Sequence, residues 1–335
     1  MKLKDTSREP AVAGGKRLVT TGPSASLDDL DRAIVQRLRE EGRESSRALA
    51  QELGINEVTA AARIRRMEQN SIMRVVAITD IRLFGHRDFA FAFIRVAGRS
   101  LLKVAADFAA LPDVIAVTVS TGRYDLIVPV LGRDHRHLAE LFGTVLPSIE
   151  GVDEVRGLMA LDVLKMDASW ALLSAERGAT PDAEPSETVD QLDLELIQLL
   201  QVDARRSNRS IAKDLDVSEG TIRARIKRLL ADRVIKIQAV SDAPAFGLGA
   251  HAYVGITTAG MSERVATELV SRADVVQVCE TLGEFDLLVV MVGADRQALV
   301  SAVINDIALI AGVRRTESFE TFASTKHSYQ WSWIV

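Results

Sequence analysis

The feature that most limits what this chain can fold into is an internal repeat that covers most of its length. At an offset of 162 residues, the two halves match without a gap from Leu30 and Leu192 onward. One residue is then lost, and the match continues at an offset of 161 residues through the segments 122–125 and 283–286. Repeats that stack as solenoids have periods of about 20–50 residues. This longer period therefore indicates a module of two domains that is present twice.

Three short helices are predicted at the start of each copy. Apolar residues at helical spacing follow Asp28, Ser45 and Asn56, which are suited to cap helix N-termini, and Gly54 suits the end of the second helix. The predicted helices contain 28–40, 48–53 and 57–69 in the first copy and 192–200, 211–215 and 221–231 in the second. Such an arrangement, with a tight turn before the third helix, is typical of a helix-turn-helix that places its third helix in the major groove of DNA.

The third helix of each copy is basic, although the whole chain has a formal net charge of -5. The segment 218–236 sums to +4 and the segment 56–74 sums to +2. A helix that reads DNA needs polar and basic side chains on its outer face, because these contact base edges and phosphates. The residues predicted to bind DNA are Asn56, Thr59, Arg63, Arg65 and Arg66 in the first copy and Ser218, Thr221, Arg223, Arg225, Lys227 and Arg228 in the second.

For a single copy, the alternative is an ordinary solvated helix face, and the repetition of the capped turn favours DNA binding. The two third helices are unequal, since Ala60, Ala61 and Ala62 stand where the second copy has Ile222, Arg223 and Ala224. Alanine makes few hydrogen bonds, so we expect the first copy to bind DNA less specifically or mainly to hold position. Two unequal helices predict an asymmetric binding site rather than a palindrome.

The second part of each copy alternates strands and helices. Period-two patterning predicts a strand at 89–97, and an amphipathic helix follows at 101–110. The order βαββαβ is that of a ferredoxin-like domain, whose sheet has helices on one face, so we expect the open faces of the two copies to pair. The other predicted elements are 73–79, 114–121, 124–131, 134–146 and 152–164 in the first copy and 235–241, 250–258, 262–272, 275–282, 285–292, 295–309 and 313–323 in the second.

Residues in both modules also match the pattern of a known family. They are Leu192-Asp193, Leu196, 207–215, Val217-Ser218, Thr221, 225–229, Val234-Ile235, Phe246-Gly247, Gly122, Asp125, Gly283 and Asp286. In these residues the chain resembles the Lrp/AsnC family of bacterial and archaeal regulators. The resemblance implies a winged-type helix-turn-helix, a ligand-sensing domain, dimers built through the sheets, and small effectors such as amino acids. The duplication is a departure, because the usual family member has one module.

The resemblance places an effector site near the Gly-x-x-Asp turn of each sensing domain. The candidate effector-binding residues are Gly122, Tyr124, Asp125, Gly283, Phe285 and Asp286. Glycine permits close approach to the backbone, and a carboxylate can hold an ammonium group. The alternative is a plain hairpin turn whose aspartate caps the backbone.

The predicted fold class is α+β, with two winged-type helix-turn-helix domains and two ferredoxin-like domains related by a pseudo-two-fold internal duplication. Composition predicts a disordered tail at the start and a polar, proline-containing linker between the modules. The expected segments are a tail 1–26, a helix-turn-helix domain 27–80, a sensing domain 81–168, a linker 169–188, a second helix-turn-helix domain 189–242 and a second sensing domain 243–335.

No catalytic set, metal site or cofactor is expected from the sequence. His135 and His137 would face different sides of a helix, and the single cysteine, Cys279, is expected to be a buried apolar residue in a strand. We find no signal peptide and no apolar run long enough to span a membrane, which predicts a cytoplasmic protein with no membrane partner.

Taken together, the sequence predicts a transcription regulator that binds double-stranded DNA and a small effector, and that forms homo-oligomers through its sensing domains. Two alternatives stay open. One is an enzyme similar to the siroheme decarboxylases that share this fold, which would need basic and histidine residues around a tetrapyrrole. The other is an amino-acid-binding assembly module without DNA binding.

Overall fold

The structure is a computed structural model that describes residues 27–173, 188–332 and 334. The predicted tail 1–26 and most of the predicted linker lie outside the described residues. Within the linker range, residues 169–173 are described and include a short strand, so this stretch belongs to the folded part of the chain.

Each module contains five helices and six strands, and the repeat found in the sequence is visible element by element. The first module contains α1 (Asp29–Glu40), α2 (Ser46–Leu53), α3 (Glu57–Gln69), β1 (Met73–Asp80), β2 (Asp88–Val96), α4 (Leu101–Ala110), β3 (Ala116–Thr121), β4 (Leu126–Gly132), α5 (His135–Glu140), β5 (Val152–Met166) and β6 (Trp170–Ala171). The second module contains α6 (Gln191–Val202), α7 (Asn208–Asp214), α8 (Glu219–Ala231), β7 (Ile235–Asp242), β8 (Ala250–Thr258), α9 (Glu263–Ser271), β9 (Val275–Leu282), β10 (Leu287–Gly293), α10 (Arg296–Ser301), β11 (Val313–His327) and β12 (Trp331–Ser332).

The three-helix units form where the sequence predicts them, because the caps are present. Asn56 accepts a hydrogen bond from the backbone N–H of Val58, and Ser218 accepts one from that of Thr221. Gly54 ends α2 with a left-handed φ of +65°, and Asp216 adopts the same conformation in the second copy with a φ of +51°. The helix-turn-helix prediction is therefore confirmed in both modules.

The two sensing domains close one eight-stranded barrel, in the order β10-β8-β11-β3-β4-β2-β5-β9. Two antiparallel contacts, β5 with β9 and β11 with β3, join the modules. The strands β5 and β11 are 15 residues long, and each pairs first within its own module and then with the other. The expected pairing of open faces is present, and it is reinforced by hydrogen bonds along both sheet edges, which the sequence did not indicate.

Alternation along the strands separates the barrel interior from the helices that cover it. On β2, Ala90, Ala92 and Ile94 face α4 and α5, whereas Phe91 and Phe93 face inward toward rings from the other module. For example, the rings of Phe93 and Phe319 lie 5.2 Å apart. The interior is thus an aromatic core shared by both modules.

A second sheet connects the barrel to the helix-turn-helix units, with the strand order β12-β1-β7-β6. The central strands β1 and β7 come from different modules and pair antiparallel along seven residue pairs. The outer strands are exchanged, because β6 of the first module pairs with β7 and β12 of the second module pairs with β1. The sequence predicted the two connecting strands without indicating that they would pair with each other.

The two helix-turn-helix units also contact each other directly. Arg205 donates hydrogen bonds to the carbonyl oxygens of Gly42 and Glu44, at 3.2 and 2.9 Å. Its counterpart Arg43 donates to the carbonyl of Arg206 at 3.0 Å. These reciprocal contacts fix the two units relative to each other.

Candidate functional site

The third helices, α3 and α8, each have one buried and one exposed face. In α8 the side chains of Ile222, Ile226 and Leu229 pack into the core of the unit. In α3 the equivalent positions are Ala60, Ile64 and Met67. The opposite face of each helix is exposed, as a DNA-contacting helix requires.

Acidic residues of the first helix engage part of the predicted basic surface. In the second module, Arg225 contacts Asp190 and Asp193 at 2.7 Å, and Arg228 contacts Asp193 and the carbonyl oxygen of Thr188. Asp193 is fully buried, and a buried carboxylate is stable only when paired. These ion pairs also hold α8 against the start of α6.

The first module repeats this cluster. Arg63 contacts Asp28 at 2.6 Å and Asp31 at 3.0 Å, and Arg66 contacts Asp31. The hydrogen bonds from the arginines lower the pKa of the Asp28 and Asp190 carboxyls. Of the arginines that the sequence predicts to bind DNA, Arg63, Arg66, Arg225 and Arg228 therefore have internal acidic partners.

The remaining predicted residues divide into caps and exposed side chains. Asn56 and Ser218 use their side-chain oxygens to cap α3 and α8, and the hydroxyls of Ser218 and Thr221 lie 2.8 Å apart. Exposed on the outer face are Thr59, Arg65, Arg223 and Lys227. Arg223 is 71% exposed and makes a surface ion pair with Glu219 at 3.0 Å. Across the residues that the structure describes, Arg65 and Lys227 have no ion-pair partner.

In the Gly-x-x-Asp turns, the two aspartates cap the backbone. The carboxylate of Asp125 accepts a hydrogen bond from the N–H of Val96 at 2.8 Å, and that of Asp286 accepts one from the N–H of Thr258 at 2.6 Å. Asp286 also contacts the Thr258 hydroxyl at 3.1 Å. These contacts are those of the plain hairpin turn that the sequence left as the alternative.

The other candidate effector residues are separated between the inside and the outside of the barrel. The rings of Tyr124 and Phe285 are buried in the aromatic interior, so they do not face outward from the turns. Gly122 and Gly283 have positive φ of +117° and +148°, which the turn requires. The structure therefore does not present all six candidates on one exposed surface.

A cavity of about 180 Å³ lies between the barrel and the connecting sheet, and sequence reasoning did not find it. It is lined by both modules, including β6, β12 and the partly exposed residues His251 and His327. The sequence signal was present, because both histidines occupy strand positions that are apolar in the first module.

The histidines and the cysteine for which the sequence predicts no metal or catalytic role make the following contacts. His135 and His137 make separate contacts with Asp88 and Asp113 at the surface end of α5. Burial raises the pKa of the Cys279 thiol to about 12. Across residues 27–173 and 188–332, no cluster of three metal-ligating side chains occurs, and none of the helices there has the length and apolar character to cross a membrane.

Comparison with known families matches the duplicated architecture. An AsnC-type helix-turn-helix domain matches residues 27–68 and 189–230, and an Lrp/AsnC ligand binding domain matches residues 89–170 and 251–331. These domains define a protein with two helix-turn-helix units and two ligand-binding domains in tandem. The chain belongs to the Lrp/AsnC family of transcriptional regulators, as its sequence motifs predicted.

Similar curated proteins correspond to one module at a time. The HTH-type transcriptional regulator LysM of Sulfurisphaera tokodaii is 30% identical over 130 residues, which is 39% of this chain and 92% of that protein. The HTH-type transcriptional regulator FL11 of Pyrococcus furiosus is 28% identical over 140 residues, which is 42% of this chain and 92% of that protein.

Solved structures of the siroheme decarboxylase NirDL match both modules together. The siroheme decarboxylase NirDL is similar over 89% of this chain and 93% of its own, with a TM-score of 0.64 and 18% sequence identity. At that identity the likeness extends to the fold alone.

Proposed function

We propose that this chain is a cytoplasmic transcription regulator that binds double-stranded DNA sequence-specifically through α3 and α8 and responds to a small effector. The observation that carries the proposal is the pair of third helices, each buried on one face and exposed on a face with basic side chains. The names of the similar single-module proteins, which are transcriptional regulators, support it.

Within this proposal the predicted DNA-binding residues have two tasks. Arg65, Arg223 and Lys227 are exposed and contact DNA, joined by Thr59 and Thr221 near the helix starts. Their offsets make Arg65 and Lys227 equivalent positions of the two modules. The paired arginines Arg63, Arg66, Arg225 and Arg228 hold the helix in place, and the half-exposed Arg66 and Arg228 can reach phosphates from there. Asn56 and Ser218 keep their capping role.

Because the units are fixed to each other and the two exposed faces differ, the binding site on DNA is asymmetric. The second module presents Arg223 where the first presents Ala61. We expect the half-site under α8 to be more strongly constrained in sequence than the half-site under α3.

The test is fluorescence anisotropy with labelled genomic fragments over a series of salt concentrations. If Lys227 contacts a phosphate, K227A reduces the salt slope by about 1 for all sequences, whereas loss of a base contact in R223A costs about 1–3 kcal/mol and relaxes specificity. R296A is the matched control, because Arg296 is 78% exposed on a sensing domain. Equal affinity of wild-type protein and the R223A/K227A variant would contradict DNA binding by α8 and favour the assembly module without DNA binding.

The effector part of the proposal concerns the Gly122–Asp125 and Gly283–Asp286 turns. An amino acid there would meet the turn backbone from outside the barrel, with Asp125 or Asp286 offering a carboxylate oxygen in addition to its cap. Thermal melting with a panel of amino acids measures this binding. A response that survives in G122A and G283A, which would strain both turns because these positions have a positive φ, would place the effector elsewhere.

Homo-oligomers through the sensing domains are the third part of the proposal. Ile304 and Leu309, which follow α10, are 60% and 76% exposed, and apolar side chains of this size are suited to a subunit contact. Light scattering of wild-type protein and I304D compares the masses. An unchanged oligomer in I304D would exclude this face.

The siroheme decarboxylase alternative has two observations in its favour, the shared two-module fold of NirDL and the histidines His251 and His327 in the cavity lining. The cavity here has a volume of about 180 Å³, close to the roughly 150 Å³ that accepts a single benzene ring, whereas a tetrapyrrole has four rings. Adding siroheme and recording its absorbance separates the alternatives. A shifted spectrum together with loss of carboxyl groups would establish the enzyme.

A further inference from the structure

The cavity between the barrel and the connecting sheet lies where the pseudo-two-fold relation brings equivalent residues of both modules together. Trp170 of β6 and Trp331 of β12, which are equivalent by the repeat, both line it. Phe322 also lines it and is 58% exposed, so the cavity meets solvent at that side chain. The site is thus formed only when both modules are folded together.

The residues that the two modules contribute to the cavity differ in polarity at two pairs of equivalent positions. Phe89 of the first module is replaced by His251 in the second, and Met166 is replaced by His327. All four line the cavity. A homodimer would present the same groups at both positions of each pair, whereas this chain presents Phe89 and Met166 from the first module and His251 and His327 from the second; the two histidines form the polar side of the cavity.

The polar side presents hydrogen-bonding groups without a formal charge on the two histidines. Nδ1 of His327 accepts a hydrogen bond from the N–H of Leu172 at 3.2 Å, so its proton is on Nε2. Burial lowers the pKa of both His251 and His327 to about 4, and their proximity adds to the shift for His251. Both imidazoles are therefore neutral at physiological pH.

Further polar groups at this side have unused hydrogen-bonding capacity. Among the described residues, the hydroxyls of Ser328 and Tyr329, both 5% exposed, have no hydrogen-bond partner. Both residues line the cavity. Buried polar groups without partners are unfavourable, so a ligand gains affinity here if either side chain turns its hydroxyl toward it.

We propose that this cavity is a binding site for a neutral, ring-sized organic molecule that carries one hydrogen-bonding group, such as a phenol. The ring lies against Phe89 and Met166, and the hydroxyl lies at His251 and His327. The size follows from the volume of about 180 Å³, since an apolar cavity of about 150 Å³ accepts benzene. The carboxylate of Asp167, which also lines the cavity, disfavours an anion.

A ligand in this position would also contact the strands that connect the barrel to the two helix-turn-helix units. The cavity wall includes β6 and β12, which pair with β7 and β1, and these strands continue directly from α8 and α3. Occupancy can therefore favour one arrangement of the units over another. This coupling, unlike the binding itself, rests on the proposed DNA-binding function.

The binding test is isothermal titration calorimetry of the full-length protein with phenol, toluene and benzoate. We expect phenol to bind more tightly than toluene by about tenfold, as one hydrogen-bonding group would give, and benzoate to bind more weakly than phenol. Phenol binding no better than toluene, or benzoate binding best, overturns the proposal. This comparison needs no variant and no DNA.

Variants then locate the site. H327M installs the residue of the first module, and H251L keeps a similar side-chain volume. Each should weaken phenol by about tenfold while toluene binding is retained, which also shows that the cavity stays open. H135Q is the control, since His135 is 80% exposed and is not one of the residues that line the cavity. Unchanged phenol affinity in both variants, or an equal loss in H135Q, places the ligand elsewhere.

The coupling is tested separately by DNA anisotropy with and without phenol. A change in DNA affinity that disappears in H327M supports coupling. If phenol binds without changing DNA affinity, coupling is refuted and the site remains, whereas absence of any DNA binding refutes the proposed function and leaves the calorimetry unaffected.

Discussion

Removing the carboxylate of Asp193 should destabilise the second helix-turn-helix unit more than any surface substitution in it. Asp193 is fully buried and accepts hydrogen bonds from Arg225, Arg228 and the backbone N–H of Asp190. Breaking a buried ion pair by removing one partner costs about 3–5 kcal/mol. In D193A, Arg225 keeps Asp190 at 2.7 Å, and Arg228 keeps the carbonyl of Thr188 at 3.2 Å. We therefore expect the lower end of that range, about 3 kcal/mol.

Urea unfolding followed by far-ultraviolet circular dichroism measures this free energy. D31A should cost the same within about 1 kcal/mol, because Asp31 has the equivalent contacts with Arg63 and Arg66. The control is D29A: Asp29 is exposed in the first turn of α1, so only its interaction with the helix dipole is lost, about 0.3–1 kcal/mol. If D193A costs no more than D29A, the internal pairing does not hold α8, and the paired arginines are free to act on DNA alone.

Three other predictions follow from burial. The Cys279 thiol, with its pKa raised to about 12 and no exposure, should react with a disulfide reagent only when urea unfolds the chain; rapid reaction in the native state would contradict its burial. G255A should reduce the free energy of unfolding by about 1–3 kcal/mol and so lower the melting temperature, because the new Cβ would lie 2.6 Å from the Phe285 ring. G143A should leave the melting temperature unchanged, because there is open space around Gly143. The neutral imidazoles of His251 and His327 contribute fully to the stability of the fold above pH 6.5, and this contribution is lost as the pH falls toward 4, because the unfolded chain takes up protons first. An H251L/H327M variant should therefore lose less stability than the wild-type protein over that pH interval. An identical loss in both proteins would refute this assignment.

Local patterns sufficed for most of the individual elements. The helix predicted at 57–69 is α3, and the helix predicted at 101–110 is α4, because caps and apolar spacing are encoded within the segments themselves. The helix predicted at 134–146 is divided: α5 ends at Glu140 and a π-helical turn, Leu141–Val145, continues it. Apolar spacing does not distinguish these two hydrogen-bond patterns.

Contacts between the modules could not be predicted from local sequence patterns. The strand Trp170–Ala171 is only two residues long, and its partner β7 is about seventy residues further along the chain. Nothing local indicates such pairing, so the stretch was interpreted as linker. The barrel closure through β5 and β9 depends equally on distant residues.

The candidate site was predicted by residue type better than by role. Positive charge on α8 was evident from the sequence, but the pairing of Arg225 with Asp190 joins residues 35 positions apart and depends on how the helices pack. The cavity histidines were missed for the same reason. Each is alone in its segment, and only the folding of β8 beside the distant β11 brings His251 and His327 to one cavity.

The joined edges of the barrel mean that neither half of this molecule is self-sufficient. A polypeptide ending at Leu173 would expose the outer edges of β3 and β5, which here bond to β11 and β9. Exposed strand edges pair with strands of other molecules, so such a fragment should dimerise or aggregate. In the intact protein the partner strands are covalently attached, so the pairing of the two halves does not depend on protein concentration, and a substitution in one half changes only one side of each contact.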